Sequence, residues 1–527
     1  MSSAMLPLLV AVPVLAAALL VLVPERRLIN RVLLLIVLAG SVAGGVALVA
    51  RSTDGSTLAH AVGLWPAGVA IPFAADMLTA LMLTVTGLLT LTCSAFAMAS
   101  GFAERSFFAP LVLVLTAGVN GALLTADLFN LFVFIEVMLL PSYALFVLAA
   151  PGRAKLSRIA GARLYVTVNL LTSTIFLAGV AFVYGVTGTV NLAELAGAAR
   201  ESEAVAVAVA VCLFALSIKA AVVPVHGWLA RAYPATSPTV TALFSGLHTK
   251  VAIYAIYRIY AVVFDGDERY LWIGVVAFCL TMAVGVLGAV GESTTRSILS
   301  FHMVSQIGYI LMGVALFGAA GLTAGIFYLL HHMIVKASLF LSTGAIEVRY
   351  GTGALDRLGG MAKREPWVAV AFFAAALSLA GLPPFSGFVA KLSLMTAGIE
   401  AGQVAAVVVM VLVSLVTLLS MLKIWSGVFW GATPAELDRT TAPSSARIAA
   451  AGEETGTVLT RVSPRQLAHG PADPKRRVGW ALLAPGLLLA AVTLGLGVGG
   501  EGLLGLAQTA AAGLLDSTGF VEAVRGA

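Results

Sequence analysis

SIKAAVVPVHGWLAR, residues 217–231, and SLAGLPPFSGFVAKL, residues 378–392, each carry proline in the middle of an apolar run with small residues just after it. Proline removes an i to i−4 hydrogen bond and clashes with the preceding turn, so a helix running through either stretch breaks. A shift of 160 residues lays Pro224 on Pro384, Gly227 on Gly387 and Ala230 on Ala390, and sets Arg231 against Lys391. Paired, proline-interrupted hydrophobic segments are the sequence mark of repeated transporter halves with an ion site at the break. Pro224, Pro383 and Pro384 are therefore the expected helix breaks.

The rest of the chain supports a membrane setting. Of 527 residues, 60% are apolar and 11% charged, with a mean hydropathy of +1.01. A soluble domain carries about 25% charged residues, so a water-exposed fold of this size is excluded. About 20 apolar residues cross the hydrocarbon core. On that rule the runs 4–24, 29–50, 74–98, 107–126, 128–150, 162–185, 206–230, 239–263, 270–290, 297–317, 320–346, 366–397, 402–430 and 478–499 make about fourteen spans. The fold class is an all-α polytopic membrane protein. No Lys or Arg precedes the first run, so it reads as a span, not a signal peptide. Cys93, Cys212 and Cys279 lie singly in apolar runs and read as packing residues.

Twenty-one of the 31 Lys and Arg residues fall in the loops after odd-numbered spans. The opposite side holds Arg51, Arg200, Arg258, Arg269 and Arg525. The positive-inside rule then puts the odd loops in the cytoplasm and both termini outside. The stretch 431–477 mixes Pro, Ser, Gly and both charge signs without apolar periodicity, and reads as a flexible cytoplasmic loop.

Five lysines remain within spans: Lys219, Lys250, Lys336, Lys391 and Lys423. Each costs about 2.5–3.5 kcal/mol at mid-bilayer on insertion scales. Lys423, close to a loop, is placed to snorkel. Against the lysines stands one mid-span acid, Glu136, in LFVFIEVMLLPSY. A single buried lysine is as well explained by a structural ion pair. A set of four facing one acid cannot all be ionised in a low dielectric, so some rest neutral and are free to gain and lose a proton. Helical spacing puts Tyr328, His332 and Lys336 on one face, and His302 and Gln306 on a face with Tyr309. His248 lies two residues from Lys250 and does not share its face. His331 points away from His332 and reads as a packing or hydrogen-bonded residue. Histidine, which ordinarily titrates near neutrality, suits a relay. No metal-ligand pattern, nucleophile–base pair or cofactor motif stands out.

IEVMLLPSYAL, SIKAAVVPVHGWLARAYPATSPTVTALFSGLHTKVAIYAIYR, RSILSFHMVSQIGY and LAGLPPFSGFVAKL resemble the antiporter-like proteins shared by Mrp-type multisubunit cation/proton antiporters and respiratory complex I. The resemblance covers about residues 70–430, and within that family the chain looks most like the D subunits of Mrp. It implies fourteen helices, with spans 4–8 and 9–13 as inverted repeats. The chain then divides into 1–106 (three N-terminal spans), 107–263 (first repeat), 270–430 (second repeat), 431–477 (the loop) and 478–527 (last span and tail). The resemblance further implies that Glu136 pairs with Lys219 at the first break. Lys250 follows in the eighth span, His332 in the eleventh, and Lys391 is the terminal residue of the twelfth. The similar complex I subunit usually has glutamate at that terminal position, so Lys391 favours Mrp. Some relatives carry histidine where this chain has Gln306, which takes up no proton, so a relay there goes through water or His302.

The function expected is proton movement along Glu136, Lys219, Lys250, His332, Lys336 and Lys391, coupled to Na+ efflux in the cell membrane. His248, His302, Gln306, Tyr328 and Lys423 are accessory, the partners are other membrane subunits, and no cofactor is called for. A proton-pumping subunit of complex I or of a membrane-bound hydrogenase, and a purely structural subunit, are the alternatives. Hard cations need several oxygen ligands with carboxylate charge. The interior inventory is mostly lysine, with Asp76 and Asp127 only at span ends, so Na+ itself is expected to travel elsewhere.

Overall fold

The computed structural model describes residues 2–22, 27–65, 70–105, 107–148, 156–431 and 477–526. Its α-helices of six or more residues, in chain order, are α1 Leu8–Leu22, α2 Arg27–Arg51, α3 Met77–Ala99, α4 Phe108–Leu124, α5 Leu128–Val147 and α6 Leu156–Thr187. Then come α7 Glu203–Ala220, α8 Gly227–Ala232, α9 Pro238–Ile259, α10 Leu271–Gly291, α11 Thr295–Ala315 and α12 Ala319–Tyr350. The last are α13 Pro366–Ala380, α14 Ser386–Glu400, α15 Val404–Ile424, α16 Trp480–Val498, α17 Gly500–Leu515 and α18 Thr518–Arg525. Caps written in the sequence start several of them. Asp76, Asp127, Ser202, Ser237 and Thr294 each accept a backbone N–H from the first turn that follows.

Among the described residues, twelve helices are long and apolar enough to cross a membrane, and two more apolar helices, Phe108–Leu124 and Pro366–Ala380, are shorter. The expected run 107–126 stops at Leu124, and the expected run 366–397 divides in two at Gly381. Run 206–230 divides likewise, into α7 and α8.

Burial and hydropathy run in opposite senses. The central stretches of Pro238–Phe264 and Ala319–Tyr350 are fully buried, yet these segments are among the least apolar of the twelve. Arg27–Arg51 and Val404–Phe429, among the most apolar, have only about a third of their central residues buried. That is the expected order in lipid: the most apolar helices face the acyl chains, and the polar ones are covered by protein. The helices α9, α11 and α12 thus form the centre and carry most of the buried lysines and histidines.

Two features differ from the sequence reading. A two-stranded antiparallel hairpin, β1 Leu58–Ala61 and β2 Pro72–Ala75, pairs Leu58 with Ala75 and Ala61 with Pro72. Its four-residue, alanine-rich strands carry too little alternation to stand out. The expected tail after the last span is instead two helices, α17 and α18. The first packs against α12 and α3, and the second against the hairpin. Arg525 Nη2, near the chain end, donates to the Ala193 carbonyl at 3.0 Å. The expected loop 431–477 lies outside the described residues except at its two ends.

Candidate functional site

At the first break α7 stops at Ala220, Ala221 takes a left-handed φ of 65°, and helix resumes at Gly227. The Val223–Pro224 peptide is cis. Val223 N–H donates to Thr281 Oγ1 on α10 at 3.1 Å, and Trp228 Nε1–H caps the Ile218 carbonyl at 2.9 Å. Polar groups released by the break therefore find partners. Lys219 occupies the last turn of α7, where the helix dipole favours a cation, and its ammonium donates to Asn169 Oδ1 on α6 at 3.2 Å. Glu136 on α5 is half-buried, with Oε1 buried and without a hydrogen-bond partner. Its charge reaches Lys219, although among the described residues Glu136 joins no salt bridge.

The middle of the bundle is occupied by histidines between lysines. His248 on α9 packs edge-on to Phe244, with ring centroids 4.4 Å apart, and both ring nitrogens lack a partner. It lies within electrostatic reach of Lys219. Lys250, fully buried two residues on, donates to Thr249 Oγ1 at 2.9 Å. His332 on α12 also has both ring nitrogens unpartnered, and sits within electrostatic reach of Lys250, Lys336 and His331. Lys336 donates to the Leu299 carbonyl of α11 at 2.7 Å. Tyr328, one turn before His332, donates to Gln306 Oε1 at 2.5 Å. His302 Nε2 bonds Ser420 Oγ at 2.9 Å, its Nδ1 has no partner, and Lys336 and Lys391 are both within its reach.

At the second break α13 ends at Ala380, Gly381 has φ 89°, Pro383–Pro384 is cis, and α14 starts at Ser386. Lys391 is buried, donates back to the Ala380 carbonyl at 3.0 Å, and lies 5.2 Å from the Tyr309 ring centroid. Arg231, its counterpart under the 160-residue shift, is exposed. His331 is hydrogen-bonded, to Ser386 Oγ at 2.8 Å, with Nε2 buried and unpartnered. Lys391 lies within its electrostatic reach, so this histidine belongs to the second break. Ser386 and Ser378 both bond Thr493 of α16, at 2.7 and 2.8 Å. Lys423 stands apart from all of these. It is half-buried and caps the end of α10 by donating to the carbonyls of Val290 and Glu292.

One buried pair escapes the sequence reading, which places Arg258 among the loop cations and Asp76 among peripheral acids. Both are buried, and Arg258 Nη2 donates to the two Asp76 oxygens at 2.7 Å. Asn169, the partner of Lys219, escapes it too. Each of these partners lies 50 or more positions away along the chain, beyond the reach of helical spacing.

From Glu136 through Lys219 and His248, and from Lys250 through His332, Lys336 and His302 to Lys391, each basic group stands within electrostatic reach of a neighbour. His248 and Lys250 stand two residues apart on α9, on different faces of the helix, so the two series approach each other there without a direct contact. In a low dielectric, charging one lysine disfavours charging the next, so occupancy of one position is felt at the neighbouring one. The unpartnered nitrogens of His248, His302, His331 and His332 are free to donate to or accept from water.

The family described as NADH:quinone oxidoreductase/Mrp antiporter, TM, matches residues 125–417. The D subunit of the Na(+)/H(+) antiporter of Alkalihalophilus pseudofirmus is 37% identical over 432 residues, covering 81% of this chain and 86% of the relative. A chain in the structure of the Mrp complex from Dietzia sp. DQ12-45-1b is 61% identical and superposes with a TM-score of 0.91, over 99% of both chains. A chain of respiratory complex I from Thermus thermophilus, 22% identical, superposes with a TM-score of 0.76 over 97% of this chain and 100% of its own length, which shows a shared fold. Buried lysines in two broken-helix settings and this degree of identity agree: the chain belongs to the NADH:quinone oxidoreductase/Mrp antiporter family of transmembrane proteins, alongside the antiporter D subunits.

Proposed function

We propose that this chain is the proton-translocating subunit of a multisubunit Na+/H+ antiporter. It is a transporter component, not an enzyme, and works beside other membrane subunits. The observation that carries the reading is the buried series of lysines and histidines between the breaks at Pro224 and Pro384, with histidine nitrogens left unpartnered. A proton enters at Glu136 and Lys219, moves by Lys250 and the His332–Lys336 face, and leaves by Lys391. His302 and His331 accept it beside the second break, while Gln306 and Tyr328 hold each other in place. Lys423 is a cap and no part of the route.

The same reading includes fourteen spans, with the half-helix pairs α7/α8 and α13/α14 each counted as one. Spans 4–8 and 9–13 are inverted repeats, which the equivalent placement of the two breaks supports. The protein sits in the cell membrane with both termini outside, as the lysine and arginine distribution supports. The likeness to complex I is one of fold, and the redox-driven alternative has no observation of its own in its favour.

The test is Na+-driven proton movement in everted vesicles holding the whole complex. Lysine-to-alanine changes at 219, 250 and 391 are expected to remove it while all subunits still copurify. Full activity in all three would leave only a structural role for the chain.

A further inference from the structure

Lys250, Tyr254 and Arg258 follow one another at i, i+4 and i+8, so they line one face of α9, each about 6 Å from the next along its axis. All three are buried. Beyond Lys250 this face is polar and continuously bonded. The Tyr254 hydroxyl donates to the Leu123 carbonyl and meets Thr79 Oγ1, both at 2.7 Å. Thr79 N–H donates to Asp76 Oδ1 at 3.0 Å, and Arg258 Nη2 holds both Asp76 oxygens. Arg258 Nε and Nη1 are buried with no partner, which is costly for a cation unless water reaches them in some state of the protein.

One aromatic ring covers the end of this face. Phe520, on the short amphipathic helix α18, lies 4.5 Å from the Arg258 guanidinium and is itself buried. The helix rests on the hairpin and is tied down by Arg525 at Ala193. By the charge distribution this end of the bundle is extracytoplasmic.

We propose that Asp76 is a proton acceptor on a side branch from Lys250, and that Phe520 is the gate over it. This rests on the reading of the chain as a proton carrier. Once Arg258 lets go of the carboxylate, a proton leaves the Lys250 ammonium, passes the Tyr254 and Thr79 hydroxyls with intervening water, and binds Asp76. Lys250 is left a neutral amine and Asp76 a carboxylic acid, with Arg258 released from its pair. When α18 shifts, Asp76 gives the proton to the outside water and the pair with Arg258 closes again.

The experiment uses the intact complex in proteoliposomes with an imposed pH gradient, an interior pH dye and no Na+. Phe520→Ala is expected to raise proton leakage severalfold over the unmodified complex, while Phe520→Trp keeps it sealed. Asp76→Asn retains the helix cap, since asparagine caps as well as aspartate. Combined with Phe520→Ala, it is expected to return leakage to the unmodified level. Where Phe520→Ala does not assemble, Phe520→Leu carries the same two readings. No rise in leakage from an assembled Phe520 variant, or a rise that Asp76→Asn leaves in place, overturns the branch. Failure of the carrier reading looks different: Lys250→Ala would then retain full Na+-driven antiport.

Discussion

Lys391 reaches back across the break in its own span to donate to the carbonyl of Ala380, at 3.0 Å. The same ammonium that could carry a proton is thus also the cap for a helix end whose carbonyls have lost their partners. Removing it withdraws both. Lys391→Leu is expected to lower Na+-driven proton movement by about a hundredfold or more, the scale of a lost acid–base group. Lys391→Glu keeps a fraction, because a protonated carboxyl can donate to Ala380 and a carboxylate can accept. Equal residual rates in the two variants, read with a pH dye in vesicles, would mean that Lys391 serves only as a cap.

At the other break the cation is held by Asn169, and Glu136 supplies charge without a direct bond. Glu136→Ala should therefore leave the architecture intact, since no hydrogen bond to Oε1 is lost. The complex is expected to assemble at normal yield and to lose Na+-driven proton uptake. Normal uptake by assembled Glu136→Ala complex would remove the acid from the route.

The matched glycines of the two breaks are expected to behave differently. A Cβ at Gly387 would fall on the Ser378 carbonyl oxygen and crowd His331, whereas one at Gly227 meets nothing within 4 Å. Gly387→Ala should cost about 1–3 kcal/mol by overpacking and disturb the Ser378–Thr493–Ser386 contacts. Gly227→Ala should be close to neutral. Thermal unfolding of the purified complex in detergent, followed through this chain, separates the two. A Gly387→Ala complex as stable as Gly227→Ala would show that the second break relaxes more easily than its packing indicates.

What is legible in the sequence follows from what periodicity and proline can report. Apolar runs mark the helices, Pro224 and Pro384 mark the interruptions, and the lysines stand out because charge is costly in lipid. The hairpin Leu58–Ala61/Pro72–Ala75 and the terminal helices do not stand out, being short and rich in small residues. The Asp76–Arg258 pair spans 182 positions, and Arg258 reads as a loop cation because it lies near the end of the run 239–263. Arg258 is covered by Asp76 and by Phe520 of α18, both far along the chain from it. Likewise the part of His331 depends on Ser386, which only the folded second break brings beside it.

Lys423 supplies a control for all the lysine variants. Its donors go to two backbone carbonyls at the end of α10, and it lies partly exposed. Lys423→Met should leave transport unchanged while costing about 0.5–1.5 kcal/mol per lost hydrogen bond. A loss of transport with unchanged thermal stability would put this residue back on the route.

The remaining prediction concerns the path of Na+. A sodium ion shedding its water needs several oxygen ligands with negative charge among them. The proposed route offers the reverse: Lys219, Lys250, Lys336 and Lys391 with Glu136 the only acid beside them among the described residues, while Asp76 faces the Arg258 cation, which repels a second one. Carbonyls released at the breaks are capped, Ile218 by Trp228 and Ala380 by Lys391. The ion should therefore pass through another subunit of the complex or an interface, and this chain should supply only the proton half of the exchange. Lys250→Arg and His332→Gln, chosen as partial-activity variants, are expected to move the pH profile of antiport and leave its half-saturating Na+ concentration where it was. Both quantities are read in the same vesicles by titrating Na+ at several pH values. A shift in Na+ dependence as large as the shift in pH dependence would place the ion on this route as well.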